Sequence, residues 1–157
     1  MGLRTVVLPD KLARKLEASC RAKGLTIEEL IIDALSGPDP DEKAEAYWEV
    51  AEHYLARAED ELTKGDLRQA SEKIWGAAAL AVKAVALRRE KRRLTSHSEL
   101  WEYISALKTA DPSIGDLWRT AVSMHVNFYE GWAPRDEVEE ALERVRTLLT
   151  KLKRLMG

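Results

Sequence analysis

The spacing of apolar positions changes character along the chain. Residues 3–8, "LRTVVL", form a short β-branched run bounded by Pro9, and such a run predicts a strand. From Asp10 onward Leu12 and Leu16 recur at i, i+4 spacing, which predicts a helix that Gly24 ends. Thr26 followed by Glu29 gives a capping-box pattern ahead of "IEELIIDAL", so a second short helix is expected there. The segment "SGPDPDE", residues 36–42, then brings Gly37, Pro38 and Pro40 together and breaks any helix. Residues 1–36 therefore read as an N-terminal arm, 37–42 as a linker and 43–157 as a separate helical bundle.

Beyond the linker the period is helical throughout. A first helix is expected from Asp41 to about Lys64, with Gly65 and Asp66 as the turn, and a second from Leu67 to about Arg92. The middle of the second, "WGAAALAVKAVAL", is small or apolar nearly all round, as in a helix packed on several neighbours. "SHSELWEYISALK" makes a shorter third helix after the cap-like Thr95 and Ser96. Asp111 and Pro112 suit the start of a fourth, which Gly131 ends. The fifth follows Pro134 and runs from an acidic start to a basic end, the order the helix dipole favours. Short loops between them predict an antiparallel, up-and-down arrangement.

Composition narrows the class. A length of 157 residues supports one core, and no apolar run approaches the ~20 residues that cross a bilayer. The N-terminal stretch lacks the basic and apolar regions of a signal peptide, so no membrane partner and a cytoplasmic location are expected. Cys20, the single cysteine, allows no internal disulfide and sits in a helical pattern as a small core residue. One Asn, one Gln and a charged fraction of 33% fit a thermophile. A net charge of −2 argues against general attraction to nucleic acid.

"TVVLPDKLARKLEASCRAKGLTIEELIIDAL" resembles a ribbon-helix-helix module, in which two chains pair their strands. If Val6 and Leu8 face the helices, Leu3, Thr5 and Val7 lie on the outer face. Two of these three are apolar, whereas reading DNA requires polar side chains there. The resemblance thus implies a homodimer held by a dimerisation ribbon, with a DNA-binding regulator as the weaker alternative.

"RTAVSMHVNFYEGW", residues 119–132, carries the densest candidate chemistry. Arg119 and His125 are six positions apart, about 120° around a helix and ~9 Å along it. Such a pair converging on one phosphate would supply a general base and a cationic clamp without metal. Alternatively His125 belongs to a packed stripe with Trp118, Ala121, Val122, Tyr129 and Trp132, and Arg119 is a solvated or ion-paired residue. The Arg–His spacing resembles the HEPN superfamily, which implies a five-helix HEPN-like bundle and metal-independent ribonuclease chemistry as the enzymatic alternative. "KIWGAAALAVKAVA", "LTSHSEL" and "MHVNFYEGW", in that order, resemble the archaeal PaREP paralogue family, which implies a fold and a dimer but no established reaction.

Lys83 interrupts the apolar second helix, and it either snorkels, pairs with a carboxylate or binds a phosphate. Arg92, Arg93 and His97 follow on the basic run "LRREKRRL" and just beyond it; they make either a solvated helix end or a phosphate-tracking patch. Asn127, Tyr129 and Glu130 complete the candidate binding set. The three histidines are too scattered for a metal, and no cofactor motif is present. The expectation is a homodimeric protein that binds RNA or nucleotide, with ribonuclease and DNA regulator as alternatives.

Overall fold

The computed structural model describes residues 4–157. Among them are seven α-helices and no strand, so the fold is mainly α, and the chain divides into two compact units, Met1–Gly37 and Pro38–Gly157. Two expectations are corrected by this count. The chain is not a five-helix HEPN-like bundle, and among the described residues no strand forms a ribbon-helix-helix arm before it. Residues 4–9 carry no strand pairing; a β-branched run acquires a ladder only from a partner edge, and periodicity alone supplies none. Leu3, assigned above to the ribbon's outer face, lies outside the described residues.

The first unit holds α1 (Asp10–Lys23) and α2 (Ile27–Leu35). Gly24 closes α1 in the left-handed conformation at φ 65°, and Thr26 and Glu29 form the reciprocal capping box that starts α2. Cys20 and Glu29 are the buried residues of these two helices.

The second unit holds α3 (Pro40–Lys64), α4 (Leu67–Glu90), α5 (His97–Leu107), α6 (Ser113–Glu130) and α7 (Arg135–Met156). Helix α4 contacts each of the other four, and from Ala77 to Leu87 every one of its residues is buried. Its alanines let neighbours approach closely. At Gly76 a Cβ would come within 2.5 Å of the Tyr54 ring on α3, so the α3–α4 seam depends on a bare backbone there. No helix among the described residues is long and apolar enough to cross a membrane.

A candidate histidine site on helices α4, α5 and α6

Three helices each deliver part of one cluster. Helix α4 contributes Trp75, flanked by Glu72 one turn earlier and Lys83 two turns later on nearly the same face. Helix α5 begins with His97, placed by a well-capped turn: the Ser96 hydroxyl accepts from the Glu99 N–H at 3.1 Å, while Thr95 N–H donates to the Glu99 carboxylate. Helix α6 contributes His125 and, one turn on, Tyr129.

The rings pack against one another. His125 stacks on Trp75 with centroids 4.8 Å apart and planes 29° from parallel. His97 meets the same indole at 5.4 Å and the edge of His125 at 5.2 Å. Tyr129, largely exposed, stands edge-on to His125 at 5.4 Å. Trp118 backs Trp75 from within the core.

Partial desolvation lowers the pKa of both imidazoles, although His97 is exposed and only His125 is half-buried. At His97 the neighbouring His125 and the Lys83 ammonium add to the effect. Glu72 is displaced the other way: burial raises its pKa, with Lys73 partly opposing. Its Oε2 lies 3.6 Å from His125 Nδ1. That is ion-pair range, yet both groups are shifted toward their neutral forms, and neither atom has a hydrogen-bond partner. The neutral description governs this contact.

A pH dependence follows. Each histidine is neutral-favouring in the folded state, so its contribution is present above pH ~6.5 and is lost as pH falls through the depressed folded value. Glu72 acts oppositely: its contribution is present below pH ~4.5 and lost as pH rises through its raised value. Thermal midpoints should therefore fall on acidification below pH ~6.5. His97→Gln with His125→Gln should flatten that slope, and Glu72→Gln should steepen it.

The other candidate residues have different surroundings. Arg119 is exposed and pairs with Asp116 at 2.8 Å; it is not among the groups that contact His125. Asn127 is fully buried, donating to Ser71 Oγ at 2.8 Å and accepting the Ala133 N–H at 2.7 Å. It fixes the α6–α7 connection to α4. Glu130 is exposed at the end of α6. The basic run largely faces carboxylates: Arg88 and Lys91 meet Asp41, Arg88 also reaches Glu45, and Arg92 lies 3.8 Å from Glu102. Arg93 is exposed and is not a member of the ring cluster. Among the described residues no three His, Cys, Asp or Glu side chains group as metal ligands.

Sequence reasoning missed Glu72, Trp75 and Arg68. Arg68 donates to the carbonyls of Phe128 and Tyr129 at 2.7 and 2.9 Å, closing the last turn of α6 beside the cluster. No local signal marks such a contact across 60 positions.

The family described as Archaeal PaREP1/PaREP8 matches residues 46–149, all within the second unit. The chain belongs to this family. A crystal structure of a Sulfolobus solfataricus protein is similar to the PaREP chain at 31% identity, with a TM-score of 0.63, over 69% of this chain and 97% of that one. No curated protein matches. The HEPN assignment is corrected by this result, and the expectations of RNA or nucleotide binding and of a homodimer draw no support from the match. Cys20 and the remainder of the first unit lie outside the matched residues.

Proposed function

We propose that this PaREP protein binds a phosphomonoester at His97 and His125, with Lys83 behind them and Tyr129 at the mouth. The observation that carries this reading is the meeting of two titratable rings, imidazoles 5.2 Å apart, with the Lys83 ammonium acting on one of them. Protonating both rings is unfavourable unless an anion arrives between them. A phosphate dianion accepts several hydrogen bonds at once, and its two negative charges offset those of two protonated imidazoles. Stacking on Trp75 fixes His125, and the capped turn fixes His97, so the donors are held in place before the ligand enters.

The phosphate's second ionisation lies near pH ~6, and the histidines titrate below ~6.5. Binding needs the dianion and protonated imidazoles together. Affinity should therefore be higher at pH ~6 than at pH ~7.5, where the imidazoles are neutral. Isothermal titration with ribose 5-phosphate at the two pH values measures this. His97→Ala and His125→Ala should each abolish the heat. Binding that ignores pH, or that survives both substitutions, would refute the assignment.

A further inference from the structure

A second site lies apart from the histidines, between α3 and α7. It is a groove of about 680 Å³, within the usual size range of small-molecule pockets. Its floor is apolar: Trp48, Leu55 and Leu149 are all nearly buried. Its rim carries Arg146, Lys153 and Arg154 with Glu52, Thr150 and Gly157, and Glu45 and Glu49 line the adjoining pocket that shares Trp48, Glu52, Lys153 and Gly157.

These charges are not equally committed. Arg146 is held by Glu59 and Glu143. Glu52 accepts the Trp48 indole N–H at 2.8 Å. Lys153 lies over the Trp48 ring, its ammonium 4.9 Å from the centroid, and no carboxylate pairs with it or with Arg154 among the described residues. Two exposed cations on consecutive residues thus stand beside apolar side chains that line the groove. The complementary ligand has an apolar body and one acid group.

We infer that this groove binds an amphipathic organic acid, its carboxylate between Lys153 and Arg154 and its hydrocarbon on Trp48, Leu55 and Leu149. Charge complementarity commits the site to an acid over a neutral lipid. The apolar floor commits it to an amphiphile over inorganic anions, which have nothing to place there. None of these residues takes part in the histidine cluster, so the two sites stand or fall separately.

The test uses the full chain and 8-anilinonaphthalene-1-sulfonate, an aromatic acid whose emission rises in apolar surroundings, with decanoate as competitor and decanol as its neutral counterpart. Decanoate should displace the dye at concentrations at least tenfold lower than decanol. Lys153→Glu with Arg154→Glu should weaken dye binding at least tenfold. Both positions are exposed, and circular dichroism should show the variant folded. Thr150→Trp, an exposed rim position, should weaken the dye independently by filling the groove. Dye affinity within twofold of the natural chain in both variants would overturn the assignment, as would decanol competing as well as decanoate.

Discussion

Asn127→Ala is expected to destabilise the second unit by about 3 kcal/mol. The side chain is fully buried and links three elements: Ser71 on α4, its own helix α6, and the Ala133 N–H in the loop before α7. Truncation removes two hydrogen bonds and leaves a buried backbone donor unsatisfied. The bonds themselves are worth ~1 kcal/mol each, and the orphaned donor adds ~1–3 kcal/mol. In a chain of this length that corresponds to a fall of roughly 6–12 °C in thermal midpoint. Asn127→Asp keeps an acceptor for Ala133 but no donor for Ser71 at neutral pH, and should recover only part of the loss. Val126→Ala, at a half-exposed neighbouring position, should change the midpoint little. An unfolding curve of Asn127→Ala that overlays the natural one would remove Asn127 from this structural role.

The second large effect lies at the α3–α4 seam. Gly76→Val places a branched side chain where even a Cβ would meet the Tyr54 ring at 2.5 and 2.6 Å. Replacing glycine inside a helix ordinarily gains up to ~1 kcal/mol. Here overpacking against a buried ring outweighs that gain, because typical costs are 1–3 kcal/mol and the ring has little room to retreat. Tyr54 is itself buried, with Lys73 over its face at 5.3 Å. A net loss of about 2 kcal/mol is expected from chemical denaturation. Tyr54→Ser should make room, so the double variant should be less destabilised than the sum of the singles. Strict additivity would show that the two side chains do not meet.

The two sites differ in how far the chain announced them. Helix punctuation was legible because it is local: Gly24, Gly65 and Gly131 each close a helix in the left-handed conformation, and Thr26 with Glu29 caps α2. The all-round apolar middle of α4 announced its central place for the same reason. "LRTVVL" misled because a strand is a property of two segments, and propensity describes one. His97 and His125 were visible as residue types, but their meeting on Trp75 was not, since α4, α5 and α6 are joined only by tertiary packing. Spacing along α6 suggested Arg119 as the partner of His125. In three dimensions the arginine is tied to Asp116, and the histidine faces the neighbouring helices. Asn127 shows the same limit: a lone asparagine at the end of a helix looks like a ligand group until its partner 56 residues away is in view.

The phosphate assignment rests on two imidazoles that resist protonation alone and accept it together with an anion. Their titration by NMR, in the free chain and with saturating ribose 5-phosphate, addresses this most directly. Both resonances should titrate below ~6.5 in the free protein, and both should move upward by about a unit or more when the ligand is bound. Titration curves for His97 and His125 that are unchanged by the ligand would contradict it.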